Sequence, residues 1–205
     1  MYVDLQTGQK PWRDVYKLCI GVINPRPIAL VSTCSPDGLL NLAPFSFYNM
    51  VSANPPVVIF SPTVNRHGGM KDTLRNILDT RQFVIATATA DIARQMNACA
   101  ATLPYGQSEF EFSGLTPTPA TKVTPPLVKE SPVNIECNLR ELKTLGEGPG
   151  SGNVIFGDIV AMHVADDLLD DHGVPDPRKL TTVGRLGGAW YANASAPYEM
   201  QIPQV

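Results

Sequence analysis

The sequence has few cysteines, and no two of them form a Cys-x-x-Cys pair. Cys19, Cys34, Cys99 and Cys137 are scattered along the 205 residues, each beside small or apolar neighbours. Because zinc sites and redox dithiols use closely spaced cysteines, both are disfavoured. The pattern predicts reduced, mainly structural thiols and a cytoplasmic location.

Basic charge and long apolar runs are also scarce. A formal net charge of −3 and a pI near 5.6 argue against a broadly basic surface, so we expect no nucleic-acid partner and no polybasic membrane contact. Polar residues at positions 4–10 interrupt the start of the chain, and no apolar run approaches the length of a membrane span. We therefore expect a soluble intracellular protein whose partners are small molecules or protein.

The residues of a hydrolase or a metal centre are missing as well. His67 and His163 each stand alone, and a lone histidine in a loop or strand is more often uninvolved in chemistry. The acidic segment 166–171 lacks the glycine spacing of a calcium loop, and a solvated surface is the better interpretation. We assign no catalytic side chain and no metal ligand.

The most informative stretch is 57–76. Its apolar start, 57–60, predicts a buried strand that stops at Ser61-Pro62. The helical spacing of residues 74, 77 and 78 predicts a helix that begins near Met70 or Lys71. A helix start favours anions, and four side chains could converge on a phosphate there: Ser61, Arg66, Lys71 and Thr73. The alternative is an ordinary helical turn that binds only water.

Periodicity and turn residues predict the other elements. They are a short helix in 11–18, a hairpin of strands 28–33 and 39–42, a strand 82–88 buried on both faces, a helix in 91–101 capped by Thr89 or Asp91, a loop over 104–126 anchored by Phe110 and Phe112, and paired strands 134–145 and 153–165. In strand 134–145, Glu136 falls on the polar face. Gly157 indicates a bulge or a close backbone approach.

Two segments do not fit regular elements. Pro44 lacks a backbone donor, so 43–50 is predicted to be irregular, with backbone groups that face something other than a neighbouring strand. Glycines surround Arg185 in 183–191, which indicates backbone packed tightly against a neighbour or a ligand.

Five segments, in order, resemble the flavin reductase-like, FMN-binding split-barrel family. They are RPIALVST at 26–33, NLAPFSF at 41–47, SP at 61–62, KDTLRNI at 71–77 and GRLGG at 184–188. The resemblance covers about 25–191 and implies one domain over 1–205. It implies a mainly β fold with flanking helices, a six-stranded antiparallel split barrel, which works as a homodimer with FMN near the subunit interface.

The resemblance also implies the cofactor contacts. The segment formed by Ala43, Pro44, Phe45, Ser46 and Phe47 offers backbone groups and the Ser46 hydroxyl to the isoalloxazine and ribityl chain. Ser61, Arg66, Lys71, Asp72 and Thr73 hold the phosphate, which carries about −1.5 to −2 charges. Asp72 would act through its backbone N–H or by orienting Arg66 or Lys71. Arg185 contacts the cofactor or, alternatively, forms an ion pair at a dimer contact, and Ser46 could instead satisfy a local turn.

One departure from the family concerns the loop at 146–153. The matching loop of short-chain flavin reductases presents Gly-Asp-His to the nicotinamide, whereas here it contains no histidine. Two functions stay open: an oxidoreductase that reduces FMN with NADH or NADPH and passes electrons to a second acceptor, or an FMN-holding electron carrier without a nicotinamide site. A split barrel that has lost flavin and serves as an interaction module is the third.

Overall fold

A computed structural model describes residues 2–6, 8–65, 68–104 and 106–203. Its helices are α1 (Trp12–Val22), α2 (Asp72–Thr80), α3 (Ala93–Ala98) and α4 (Glu109–Ser113). Its strands are β1 (Arg26–Pro27), β2 (Ala29–Cys34), β3 (Leu40–Phe45), β4 (Tyr48–Ala53), β5 (Pro56–Phe60), β6 (Gln82–Thr87), β7 (Pro117–Thr118), β8 (Leu127–Val128), β9 (Val133–Thr144), β10 (Asn153–Val164), β11 (Val183–Arg185) and β12 (Tyr191–Asn193). No helix in these ranges combines the length and apolar character needed to cross a membrane.

The main sheet is antiparallel and has seven strands in the order β3-β2-β6-β9-β10-β5-β4, where six were expected. Its two edge strands, β3 and β4, are consecutive in the chain and are separated only by Ser46 and Phe47. Two residues span only a short distance, so the end of β3 must lie close to the start of β4. The sheet therefore curls until these two edges approach each other. The described strand pairs do not join β3 to β4, so the curled sheet is split at this point.

The prediction of an irregular 43–50 segment is wrong. Residues 43–45 end β3, where Pro44 lies opposite Leu30, and β4 starts at Tyr48. Proline is tolerated because β3 is an edge strand, so the missing N–H breaks no ladder on its open side. Only Ser46 and Phe47 lie outside the strands.

The two faces of β2 and β6 pack into different apolar clusters. The interior cluster includes Val31, Phe60 and Ile85, and α2 contributes Leu74 and Ile77 to it. The outer cluster joins β2, β3 and β6 to α3 and α4 through Leu30, Leu42, Ala86, Met96 and Phe110. The two clusters confirm the prediction that strand 82–88 is buried on both faces. The interior cluster also holds α2 against the barrel.

The β9–β10 hairpin has the predicted bulge at Gly157. The register shifts between Phe156 and Gly157. A Cβ added at Gly157 would collide with the ring of Phe83, which is fully buried. A side chain, rather than another backbone, makes the close approach.

The helices in the middle of the chain differ from prediction. Helix α3 covers six residues, with Ile92 at its N-cap and no side-chain cap bond, so Thr89 and Asp91 are not its caps. Helix α4 interrupts the predicted 104–126 loop, because Ser108 accepts the N–H of Phe110 and caps a short turn. Phe110 is buried as expected, whereas Phe112 is exposed.

Strand β9 also departs from simple alternation at Glu136. This residue is fully buried, and its carboxylate accepts backbone N–H bonds from Thr121, Lys122 and Val123. The Nε2 atom of His163 lies 2.6 Å from the same carboxylate. A loop crosses the polar face of the strand and uses the buried charge as its anchor.

The glycines near Arg185 pack tightly against other segments of the protein, one of the two arrangements that the sequence predicts. Strands β1, β11 and β12 form a separate small sheet. A Cβ at Gly184 would lie 2.9 Å from the Pro25 side chain, and one at Gly187 would lie 3.2 Å from the Cα of Gly21. The small sheet is thereby held against the end of α1.

Candidate functional site

The loop after β5 leads directly into α2. The backbone N–H of Ser61 donates to the carbonyl of Phe47 at 2.9 Å, which ties the end of β5 to the β3–β4 link. Further along, the side chain of Asn65 accepts the N–H of Gly69 at 2.9 Å, and Gly68 takes a positive φ of 83°. Arg66 and His67 lie outside the described residues.

The N-terminus of α2 has no side-chain cap. Its N-cap residue, Lys71, is extended and offers no acceptor to the first turn. The N–H groups of residues 72–74 have no carbonyl four residues earlier in the helix to bond to. The Asp72 carboxylate instead accepts from Arg75 at 3.1 Å on the next turn, so it does not orient Lys71. The helix start therefore offers N–H donors that no described residue accepts, and a positive dipole end.

The Thr73 side chain faces the barrel rather than open solvent. The residue is 1% exposed, and its hydroxyl oxygen accepts a bond from the Asn41 side chain at 3.0 Å. Asn41 and Asn76 also reach the Thr33 hydroxyl, at 3.3 and 3.1 Å. A hydroxyl that accepts one bond keeps its own proton to donate. This network fixes the first turn of α2 on β2 and β3.

Lys71 connects the helix start with the end of β3. Its ammonium lies 5.7 Å from the centroid of the Phe45 ring, a cation–π distance. Although the residue as a whole is exposed, desolvation of the ammonium lowers the pKa of Lys71 from its ordinary value. The structure thus brings Lys71 to the predicted ring-binding segment.

Within that segment, Ala43, Pro44 and Ser46 are half-buried and Phe47 is exposed. Phe45 is buried and stacks at 5.2 Å on Phe60 in the interior cluster. The Ser46 hydroxyl lies 3.5 Å from the Nε atom of Arg26, and Phe47 is 41% exposed. Burial therefore excludes side-chain contact with a cofactor for Phe45 but not for the other four residues of the segment.

A cavity of about 400 Å³, which we term the Phe47 cavity, lies beside this link. Its walls come from β4, β5, β10 and the β9–β10 connection, and are mainly apolar. They are formed by Phe47, Tyr48, Asn49, Ile59, Phe60, Ser61, Thr63, Leu145, Gly150, Gly152 and Val154. Of the predicted site residues, Phe47 and Ser61 line it. Burial, with a smaller effect of Cys137, raises the pKa of Tyr48 to about 12, so the phenol stays neutral at physiological pH.

The glycine loop, residues 146–152, forms one wall of the Phe47 cavity. Gly152 pairs with Thr63, and a Cβ at Gly152 would lie 2.8 Å from the Ser61 Oγ. The N–H of Asn153 donates to the carbonyl of Pro62 at 2.9 Å. The loop that carries histidine in short-chain flavin reductases is here bound backbone to backbone to the predicted phosphate loop.

Arg26 is an unpredicted member of the site. It is 7% exposed, and its guanidinium donates to the carbonyls of Ile20, Ile23 and Leu186 as well as towards Ser46. Desolvation, together with the nearby Arg185, lowers its pKa, with an opposing contribution from Tyr16. In the sequence, Arg26 is marked only as the first residue of the RPIALVST motif, and this motif does not indicate that its charge is buried.

Arg185 lies in the small sheet, opposite Arg26 in register. Its guanidinium stacks 4.4 Å from the Tyr191 ring, donates to the Tyr191 hydroxyl, and donates to the Gly188 carbonyl at 2.7 Å. The Tyr191 hydroxyl in turn donates to Asn97 at 2.9 Å. The structure therefore does not bring this guanidinium together with Ser61 and Lys71.

A second cavity, of about 430 Å³, lies between the small sheet and residues of the main sheet such as Tyr48 and Thr87. Its wall includes Arg26, Tyr48, Thr182, Gly184 and Asn193. Tyr48 lines both cavities. Neither cavity can be predicted from local sequence patterns, because each is formed by segments far apart in the chain.

A split antiparallel sheet, a helix start without a side-chain cap and an apolar cavity at the end of β5 together indicate a protein of the split-barrel flavin reductase class. The family model for the flavin reductase like domain matches residues 23–183. The chain belongs to this family, which confirms the resemblance of its motifs.

Three relatives show the extent of the similarity. An uncharacterised protein of Aquifex aeolicus is 37% identical over 188 residues, 92% of this chain and 94% of the relative. Nitrilotriacetate monooxygenase component B from Bacillus cereus superposes with a TM-score of 0.90 at 33% identity, covering 98% of this chain and 99% of that one. The 2-nitrobenzoate 2-nitroreductase NbaA of Pseudomonas fluorescens gives 0.87 at 30% identity, covering 99% and 96%.

Proposed function

We propose that this protein is a cytoplasmic FMN-binding oxidoreductase that is reduced by NADH or NADPH and passes electrons to a second, small-molecule acceptor. The observation that carries the proposal is the uncapped start of α2, where Lys71 lies against Phe45 of β3, together with the Phe47 cavity, which Ser61 lines. The chemistry supplied by bound FMN is the acceptance of a hydride, two electrons with one proton, and their delivery onward.

The residues present fit the phosphate group. A phosphate monoester carries about −1.5 to −2 charges and has three terminal oxygens that accept hydrogen bonds. We propose that these oxygens accept from the N–H groups of residues 72–74, the Lys71 ammonium and the hydroxyls of Ser61 and Thr73. Arg66 is a proposed further cation. Asp72 would contribute through its backbone N–H, since its carboxylate pairs with Arg75.

The Phe47 cavity fits the ring system. Its volume of about 400 Å³ lies in the range of about 300–1,000 Å³ found for small-molecule sites, and its apolar walls suit a planar ring. Ser46 and Phe47 would flank the ring, while Ala43, Pro44 and Phe45 would support it from β3. Arg185 is a proposed contact only if flavin binding replaces its present bonds to Tyr191 and Gly188.

A flavin titration tests the proposal. Purified protein should quench the fluorescence of added FMN at one flavin per chain, and protein purified without added flavin should show flavin bands in its visible spectrum if FMN is a resident group. Colourless protein that fails to quench FMN would contradict the proposal and would favour the interaction-module interpretation.

A second candidate, an FMN-holding electron carrier reduced by another protein, is favoured by the glycine loop. This loop has no histidine and is bound to the backbone of residues 62–64. Rapid oxidation of NADH or NADPH by the FMN-loaded protein would exclude the carrier. Absence of this oxidation, with FMN bound, would exclude the reductase.

We also propose a homodimer. The edge strand β4 leaves Met50 and Val51 54% and 49% exposed, and Met162 on β10 is 56% exposed. Unpaired strand edges with apolar side chains are typical of protein contacts. Light scattering should give twice the 22.2 kDa chain mass, and a mass of one chain would contradict the proposal.

A further inference from the structure

The second cavity, of about 430 Å³, lies outside the proposed flavin site. Of the described residues proposed to contact FMN, none lines it. Tyr48 lines both this cavity and the Phe47 cavity, so the two are neighbours. The second cavity is therefore available to a ligand other than the flavin.

The walls of the second cavity define the kind of ligand that fits it. They are mainly apolar, with Pro27, Ile28, Leu180 and Val183 among them, and Arg26 is the one charged residue among the described residues that line it. Its volume is near the lower end of the range of about 300–1,000 Å³ for small-molecule sites, which suits a molecule of one ring or a short chain. Apolar walls with a single cation favour a small ligand that has an apolar body and a negative group.

The Arg26 guanidinium has no acidic partner in the described part of the chain. None of the ion pairs among the described residues includes it. Its acceptors are the carbonyls of Ile20, Ile23 and Leu186 and the Ser46 hydroxyl, which use four of its five N–H protons. Buried charges in proteins are usually paired with an opposite charge. At 7% exposure, Arg26 therefore lacks a counter-charge that a bound anion would supply.

A second cation lies beside Arg26. Arg185 is opposite Arg26 in the pairing of β1 with β11, and it too forms no ion pair with any residue that the structure describes. Desolvation is the main cause of the lowered pKa of Arg26, Tyr16 opposes it, and Arg185 adds to it. Two neighbouring guanidinium groups without a carboxylate give this part of the protein a positive potential. This potential favours an anion in the second cavity.

Two polar residues at the second cavity have donors to offer a ligand. Thr182 and Asn193 line the cavity, and neither side chain makes a hydrogen bond to another described residue. A threonine hydroxyl and an asparagine amide can each donate to a carboxylate oxygen. The cavity thus combines a cation that lacks a counter-charge with two side-chain donors that lack a protein acceptor.

We propose that the second cavity binds a small monocarboxylate with an apolar body, and that the carboxylate pairs with Arg26. A carboxylate supplies both the negative charge and the acceptor oxygens that these residues lack. The apolar body displaces water from walls such as Ile28 and Val183. The proposal goes beyond the proposed function and does not depend on bound flavin.

The test compares two ligands of the same shape. Benzoate and benzamide share one ring, but only benzoate is charged at pH 7. Amide spectra of ¹⁵N-labelled protein, recorded while each ligand is added up to about 50 mM, give both dissociation constants. We expect the Kd for benzoate to be at least about 10-fold lower, because only the carboxylate forms a charge-assisted bond with the guanidinium.

A cavity-filling variant tests the location of the site. Ala192 lines the second cavity, and Ala192→Leu would occupy part of its volume. The Kd for benzoate should therefore rise at least about 10-fold in this variant. The control Ala100→Leu adds the same atoms at an exposed position that does not line the cavity, and should change this Kd less than about 2-fold.

A signal from Arg26 itself requires no variant. The Nε–H group of this buried guanidinium gives its own signal in the same spectra. Benzoate should shift this signal more than benzamide does at equal occupancy, because the carboxylate brings a charge to the guanidinium.

Four results would each overturn the proposal. They are the absence of benzoate binding, equal affinities for benzoate and benzamide, a benzoate Kd that is unchanged in Ala192→Leu, and an Arg26 Nε–H signal that does not move when benzoate binds. Because none of these measurements uses flavin, a failure of FMN binding would overturn the proposed function and leave this proposal in place.

Discussion

Replacing Lys71 by methionine tests the phosphate site while keeping the length of the side chain. A charge-assisted hydrogen bond contributes about 1.5–3 kcal/mol, so its loss should raise the Kd for FMN about 10- to 150-fold. The effect should be near the upper end, because the helix start has no side-chain cap and the Lys71 ammonium is already partly desolvated beside Phe45. The Kd is measured by quenching of flavin fluorescence.

Two controls make this result specific to the phosphate. Riboflavin has the same ring but no phosphate, so its affinity should be unchanged in Lys71→Met. Arg81→Met removes a cation at the opposite end of α2, where the Arg81 guanidinium donates to the Leu139 carbonyl, and should change FMN affinity less than about 3-fold. An equal loss for FMN and riboflavin, or no loss for either, would refute the assignment of the phosphate to the start of α2.

Three further predictions concern the scaffold, each measured as the free energy of unfolding in urea. Gly157→Ala should lower the free energy of unfolding by about 1–3 kcal/mol, because the added Cβ would collide with the Phe83 ring. The control Gly148→Ala has no atom within 4 Å of the added Cβ and should change this free energy by less than about 0.5 kcal/mol. Equal effects of the two substitutions would contradict the steric argument. Arg26→Met should cost about 3 kcal/mol or more by leaving carbonyls around it without a donor, and a near-neutral result would show that water replaces the guanidinium. Burial alone would raise the pKa of Glu136, but bonds from His163 and three backbone N–H groups hold it below its ordinary value. This carboxylate therefore stabilises the fold above its unfolded pKa of about 4.3, and the contribution is lost as the pH falls through the lower folded value. Glu136→Gln should cost about 2 kcal/mol at pH 7 and progressively less below about pH 4, whereas a cost independent of pH would contradict the charged-anchor account.

Local patterns predicted the elements that are governed by local physics. The strand 57–60, the start of α2 and the β9–β10 hairpin follow from apolar periodicity and turn residues, and each lies within a residue or two of its expected place. The succession of family motifs then identified the family. These features depend on neighbours in sequence.

What the sequence could not show depends on partners far along the chain. Pro44 excludes a central strand but not an edge strand, and edge position is set by which strands pair over the whole barrel. Glu136 fits the polar face of its strand, yet a loop folds over that face and buries it. The contact between Trp12 and Gly150 joins residues that are far apart in the sequence, and no local pattern marks it.

A crystal structure of the protein with FMN would test the central claim most directly. The account predicts the phosphate within hydrogen-bond distance of the N–H groups of residues 72–74 and of the Lys71 ammonium, with the flavin ring in the Phe47 cavity against Phe47 and Ser61. A phosphate bound elsewhere, or a Phe47 cavity closed by side chains in the FMN-bound protein, would contradict it.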